Sequence, residues 1–170
     1  MACRLQDKEY LTKATELWKS VGDSFINGNY DQELLPPFVR EVVFNYHMQN
    51  TYNLNDWRFL FLNYELNNDL NEKRKYLESL TFSKLPWLLA RFLESRKNGG
   101  IDKSDFFEAI RLLSKNTLGR DLIWNYIRAN YAEIIITYGL DDTRLGQMLL
   151  DITSTFADEF LYEQVYDYFL

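Results

Sequence analysis

The side chains that most often bind catalytic metals or form covalent intermediates are almost missing from this sequence. His47 is the only histidine and Cys3 the only cysteine among 170 residues. A catalytic zinc site needs three protein ligands and a structural one four, so these two residues make neither. No H-E-x-x-H pair occurs. His47 follows Tyr46 in an aromatic stretch and reads as a packed or surface histidine rather than a catalytic base. Cys3 reads as an ordinary thiol or one half of a severed disulfide. Asn27-x-Asn29-x-Asp31 starts like a calcium loop, then fails: Gln32 replaces the required glycine and Phe38 the bidentate glutamate. The acid pairs Asp141-Asp142 and Asp158-Glu159 fall at expected helix starts, where negative charge complements the helix dipole. There is neither a glycine-rich phosphate loop nor a nucleophile elbow. The chain alone is therefore expected to be no enzyme and to hold no cofactor.

Composition narrows the class of protein. Hydrophobic residues make up 46% and aromatic residues 16%, with 7 Gly and 3 Pro, which excludes disorder and disfavours a turn-rich β-sandwich. The net charge is −6 and the bases are scattered; the densest run, Lys73-Arg74-Lys75, reads as a solvated helix face. A duplex-binding protein needs a basic stripe, so nucleic acid is excluded as an expected partner. No apolar run approaches the ~20 residues of a membrane span, so no direct membrane insertion is expected. The first residues lack the hydrophobic core of a signal peptide, and Cys3-Arg-Leu reads as the inside of a helix. A single cysteine leans towards a reducing compartment, and a fragment weakens that inference.

The elements that must position any site are helices almost throughout. The first carries Leu11, Ala14, Leu17, Trp18 and Val21 and is expected to end at Gly22. The loop Asn27–Asp31 leads to Pro36-Pro37, suited to first helical positions where a missing donor costs nothing. The second helix carries Val39, Val42, Val43 and Tyr46. A third, with Trp57, Leu60, Phe61 and Tyr64, is capped by Asn55 or Asp56; a fourth, with Tyr76, Leu77 and Leu80, opens at Asn71. The turn Thr81–Pro86 leads to a fifth, with Trp87, Leu88, Phe92 and Leu93, which Gly99-Gly100 stops. Asp102 and Asp105 resemble a capping box for a sixth with Phe106, Ile110 and Leu113. The seventh is long, with Ile123, Ile127, Asn130, Tyr131, Ile134 and Tyr138, and Gly139 suits a left-handed cap. Asp141 or Asp142 starts an eighth, with Leu145, Met148, Leu149, Ile152 and Phe156, and Asp158 a ninth, with Leu161, Val165 and Phe169. About nine helices, in pairs recurring every ~30–40 residues, predict an all-α fold: a HEAT/armadillo-like α-solenoid of antiparallel helix pairs, with a helical bundle as the alternative.

Several segments in register resemble one family. Asn116-Thr-Leu-Gly-Arg120 through Trp124, Asn130-Tyr131 and Tyr138-Gly139 is similar to the "N-x-x-G-R-x-L-x-W…N-[WY]…Y-G" helix of zinc aminopeptidases of the gluzincin type, such as aminopeptidase N and the endoplasmic-reticulum aminopeptidases. Leu35-Pro-Pro-Phe-Val-Arg40 through Phe44 resembles the family's "P-x-[LV]-R-x-x-V-Y". Asn71-Glu72 through Leu80, then Ser83-Lys84 through Trp87 and Arg91-Phe92-Leu93, resembles its "N-E…[ST]-K-x-x-W-[IL]-L-x-R-[FY]-L". Leu145 to Phe156 and Val165 to Phe169 complete the likeness, which spans the chain.

The resemblance implies that residues 1–170 are a single helical domain, part of a larger C-terminal domain that continues beyond both ends. It implies a parent zinc aminopeptidase whose separate catalytic domain holds H-E-x-x-H, a distant Glu and G-A-M-E-N. This chain would then be a non-catalytic cover over the active site that shapes the peptide cavity. Its partners would be the catalytic domain of the same polypeptide and the peptide substrate. The alternative function is a stand-alone α-solenoid adaptor that binds a partner protein. Extracellular members pair the cysteine matching Cys3 with one seven residues later, where Tyr10 stands, and carry another where Asn45 stands. The family therefore suggests a membrane-anchored or secreted ectodomain, while the missing cysteines leave the compartment open. Within this frame Ser83 and Lys84 are the candidate cavity residues, with Lys84 attracting a peptide carboxylate. The competing reading makes Ser83 a helix N-cap beside a solvated lysine. Terminal helices lacking neighbours are expected to expose apolar faces around Leu11–Trp18 and Val165–Phe169, favouring self-association.

Overall fold

Wherever apolar side chains recur at helical spacing, the chain coils. The computed structural model describes residues 8–26, 35–154 and 159–169, and among these it contains nine α-helices, one short 3-10 helix and no strand. The all-α expectation holds. The chain divides into two compact units, Met1–Lys84 and Leu85–Leu170.

The first unit contains α1 (Lys8–Ile26), α2 (Pro37–Asn50), α3 (Leu54–Leu66) and α4 (Leu70–Thr81). Helix α1 packs on α2, α2 on α4, and α3 on α4. Ala14, Trp18 and Val21 are buried, so the α1 face around Trp18 is covered rather than open; the side chains of Leu11 and Phe169 lie outside those described. Trp18 meets the edge of Phe44 at 5.4 Å and of Phe59 at 5.6 Å, and stacks on His47. Phe44, Leu60, Tyr76 and Leu80 are fully buried, each stabilising the unit by about 1.5–3 kcal/mol relative to exposure.

Polar groups fix α2 against α4. Arg40, which is buried, is paired with Glu72, and Lys75 Nζ approaches the other Glu72 oxygen at 2.7 Å. Further along, Ser79 donates to the side-chain oxygen of Asn45 at 2.6 Å, and Phe44 stacks on Tyr76. Arg40 with Glu72, Phe44 with Tyr76 and Asn45 with Ser79 ascend together, so the two helices run parallel.

The second unit contains α5 (Pro86–Ser95), the 3-10 turn Arg96–Asn98, α6 (Phe106–Ser114), α7 (Gly119–Tyr138), α8 (Thr143–Thr153) and α9 (Glu159–Phe169). Helix α7 packs on α5, α6 and α8, and α6 also packs on α8. Trp124 Nε1 donates to Gln164 at 3.0 Å and Tyr168 Oη to the Arg128 carbonyl at 2.9 Å, so α9 runs parallel to α7. Tyr166 and Tyr168 are exposed and Val165 is half-buried.

Several helix boundaries differ from expectation. Helix α1 continues through Gly22, because a lone glycine without a left-handed turn weakens a helix but does not end it. The α3 cap is Asn53, whose side chain accepts from the Asn55 amide at 3.0 Å; Asp69 caps α4 by accepting from Asn71 and Glu72. Both lie two residues before the expected caps, since a cap must reach the second or third amide beyond it. Pro36 is the α2 cap and only Pro37 stands at the first helical position. The capping box at Asp102 does not form: α6 starts at Phe106, and no side-chain cap comes from Asp105. Gly99 (φ 78°) ends the 3-10 turn in the left-handed region. Gly139 has φ 91° but ψ 143°, so it ends α7 with a positive φ and not in a left-handed helical cap. Asp142 caps α8. Trp87, expected in the α5 core, is half exposed. Cys3, the loop Asn27–Asp31, Phe156 and Asp158 lie outside the described residues.

Candidate functional site

Ser83 and Lys84 lie in the segment that leaves α4. Thr81 is still helical, Phe82 closes that helix by donating its amide to the Ser79 carbonyl at 3.1 Å, and Pro86 starts α5. The α5 N-cap is Leu85, without a side-chain cap bond, so Ser83 is not the cap. Ser83 is 2% exposed, whereas the Lys84 side chain is exposed. Of the two, only Lys84 presents its side chain to solvent.

His47 has a defined place. Its ring stacks nearly parallel on that of Trp18, with ring centres 4.1 Å apart, and Nε2 is 2.6 Å from Asp56 Oδ2. Thr51 donates to the same oxygen at 2.7 Å, and the Asn53 side-chain Nδ2 donates to Oδ1 at 3.2 Å. One carboxylate thus ties together α2, the 51–53 connection and the first turn of α3. Burial pushes the Asp56 carboxyl up, but hydrogen bonds from His47 and Thr51 outweigh it and hold it below the usual carboxylate range. A carboxyl with a depressed folded-state pKa contributes stability that is complete above the unfolded value and lost as pH falls below about 4. Asp56→Asn should therefore flatten the acid limb of the stability curve, measured as urea midpoint against pH. An unchanged acid limb would exclude Asp56 as its source.

A second polar cluster gathers around Arg96. Arg96 looks like one more solvated base in Ser-Arg-Lys-Asn, yet its side chain is 6% exposed. Its Nε donates to Tyr126 Oη at 2.9 Å, its Nη2 reaches Glu133 at 2.7 Å, and its guanidinium lies 5.3 Å from the Phe106 ring centre. Burial opposes the charge of Arg96, but Tyr126 and Glu133 overcome it and raise its pKa. Burial also pushes the Tyr126 and Tyr138 phenols up, against the pull of Arg96, which keeps both protonated. The Tyr138 ring stacks on Phe106 at 5.3 Å, and its buried hydroxyl has no hydrogen-bond partner among the described residues.

Arg96, Glu133 and Tyr138 border a surface cleft of about 340 Å³. Lys97, Asp102 and Lys103 form its other side. The spacings from Arg96 to Tyr126 and Glu133, 30 and 37 residues, carry no local sequence signal. The cleft holds cations, carboxylates and hydroxyls, but neither a thiol nor an imidazole. It can bind polar groups and offers no nucleophile–base pair.

Arg96→Ala is expected to cost about 2–3 kcal/mol, because it leaves Tyr126 unpaired in a buried place. Glu133→Ala should cost less than about 1 kcal/mol, since that carboxylate is 49% exposed. Urea unfolding of both variants checks the asymmetry, and equal losses would refute it.

Two features decide the family: the sequence likeness spans the chain, and the described structure is entirely helical apart from its connections. The family model "ERAP1-like C-terminal domain" matches residues 1–170. The chain belongs to the ERAP1-like C-terminal domain family. The glutamyl aminopeptidase of Mus musculus is 32% identical over 169 residues, 99% of this chain and 17% of that protein. The aminopeptidase A of Gloydius brevicauda is 31% identical over 169 residues, again 99% of this chain and 17% of the relative. Aminopeptidase N of Canis lupus familiaris is 25% identical over 111 residues, 65% of this chain and 11% of its own length. This ERAP1-like domain thus spans 17% of the length of its glutamyl aminopeptidase relatives.

The domain's described residues do not fit a zinc site. No group of three or more His, Cys, Asp or Glu side chains converges among them, and His47 meets the single carboxylate of Asp56. No described helix is long and apolar enough to cross a membrane.

Proposed function

We propose that this chain is the non-catalytic C-terminal helical domain of a zinc-dependent aminopeptidase, and that it covers the active site and shapes the peptide cavity. The match of the whole chain to a C-terminal domain of larger aminopeptidases carries this reading. In it, bond cleavage belongs to the catalytic domain of the same polypeptide, which supplies the zinc ligands. The helical domain contributes orientation and water exclusion, which need shape and charge but no nucleophile. The cleft beside Arg96, which offers no nucleophile–base pair, suits that division of labour.

Lys84 is the side chain through which this reading is tested. It is exposed, sits between two helices, and would act as a point charge for the carboxylate end or acidic side chain of a bound peptide. Lys84→Ala in the full-length parent should weaken hydrolysis of peptides with free C-termini by roughly 1 kcal/mol, about fivefold, and spare amidated ones. Equal effects on both series would make Lys84 an ordinary solvated lysine. The wider reading has its own test: the full-length parent should lose activity on long peptides more than on aminoacyl-anilides when this domain is exchanged for a relative's. Unchanged length preference after the exchange would argue against a cavity-shaping role.

A further inference from the structure

We propose that Asn98-Gly99 is a site of spontaneous deamidation, at which the fold leaves the reaction open that it restrains at other asparagines. The reaction needs a mobile carboxamide followed by an amide nitrogen that no side chain shields. Most described asparagines fail the first condition because their side chains are engaged. Asn53 and Asn67 accept from backbone amides at 3.0 and 2.8 Å, Asn116 accepts at 2.9 Å, and Asn130 donates to the Tyr126 carbonyl at 2.8 Å. Asn98 is exposed, and no hydrogen bond to its carboxamide occurs among the described residues.

The second condition is met by Gly99. It has no side chain, lies at φ 78°, and has no heavy atom within 4 Å of the position a Cβ would take. Its amide donates to the Arg96 carbonyl at 3.2 Å, at the end of a three-residue 3-10 turn that the Gly100 amide also closes by donating to the Ser95 carbonyl at 2.9 Å. That is weaker restraint than a helix interior imposes.

The chemistry balances without a cofactor. The Gly99 nitrogen gives its proton to solvent base and attacks Asn98 Cγ, closing a five-membered imide as ammonia leaves. Water then opens the imide at either carbonyl, giving aspartate or isoaspartate; the net change is one water gained and one ammonia lost. The product places a carboxylate two residues from Arg96, and the isoaspartate form lengthens the backbone at the turn that begins the Gly99–Asp102 wall of the cleft.

The test incubates the full-length polypeptide carrying this chain in mildly alkaline buffer, native and in urea, with peptide mapping by mass spectrometry over time. Asn98 is expected to convert ahead of Asn53, Asn67, Asn116 and Asn130 in the native state, at a rate close to that in urea. Asn98→Gln, which would need a six-membered ring, should abolish conversion at this position. Gly99→Ala should slow it strongly, and the glutamine variant covers the case in which alanine is strained at this φ. An Asn98 that stays intact in the native protein while converting in urea would overturn the proposal, because the fold would then protect it. Conversion of the engaged asparagines at the same native rate would overturn it equally.

Discussion

Arg40→Ala is expected to cost about 3–5 kcal/mol, the largest loss predicted for a single side chain in this fold. The Arg40 side chain is 6% exposed and that of Glu72 14%, so removing the cation leaves a carboxylate in a place from which water is largely excluded. Lys75 stays on the other Glu72 oxygen and cannot replace the lost contact from α2. The Leu35 carbonyl, which accepts from Arg40 Nη2 at 3.2 Å, also loses a partner at the entrance to α2. A large single-residue loss does not mean that the pair itself is strongly stabilising. Desolvating both charges offsets much of their attraction, so Arg40→Met with Glu72→Leu should recover most of the deficit. Urea unfolding followed by helical circular dichroism separates these outcomes. A single-variant loss below about 1 kcal/mol would mean that the pair behaves as a solvated one.

Gly119→Ala is expected to cost about 3 kcal/mol, although alanine is the better helix former. A Cβ at position 119 would lie 2.5 Å from the Leu113 carbonyl oxygen and 3.3 Å from Asn116 Cβ. Leu113 O is backbone at the end of α6 and already accepts from the Asn116 amide at 2.9 Å, so it cannot swing aside as a side-chain tip would. The corner from 114 to 118 would have to open. Gly22→Ala provides the contrast: nothing lies within 4 Å of its Cβ position, and helix propensity alone should make that change stabilising. If both variants gained stability, close packing at the α6–α7 corner would be excluded.

Helix positions were legible because burial needs one apolar stripe per helix. Leu60 and Tyr64, Leu77 and Leu80, and Ile123, Ile127 and Ile134 supply those stripes and are buried. Cap identity was less legible because Asn53 and Asn55 are equally able to cap, and only the backbone path distinguishes them. Gly99 was readable as a stop because a second glycine follows it; Gly22 was not a stop because nothing around it continues the turn. The family resemblance rested on several motifs in register, and the match over all 170 residues bears it out. The Arg96 cluster lay beyond sequence reading, since a charged residue in a polar run looks solvated until Tyr126 and Glu133 approach it from α7. For His47 the sequence left packed and surface positions open; the structure stacks it on Trp18 and pairs it with Asp56, partners from separate segments that did not declare themselves.

The parallel course of α2 and α4 restricts where this chain can change in length. One residue inserted in α4 between Glu72 and Ser79 would turn everything after it by about 100°. Ser79 would leave Asn45 while Glu72 kept Arg40, so the helix could satisfy one partner only by forsaking the other. An added residue at 51–53 or 67–69 rotates neither helix; the chain-closure cost of lengthening such a connection is only a few tenths of a kcal/mol, and about 1 kcal/mol is added where the Asn53 or Asp69 cap is lost. Changes of length are therefore expected to be tolerated in the connections and not within α4, whose composition can vary while its register on α2 is kept.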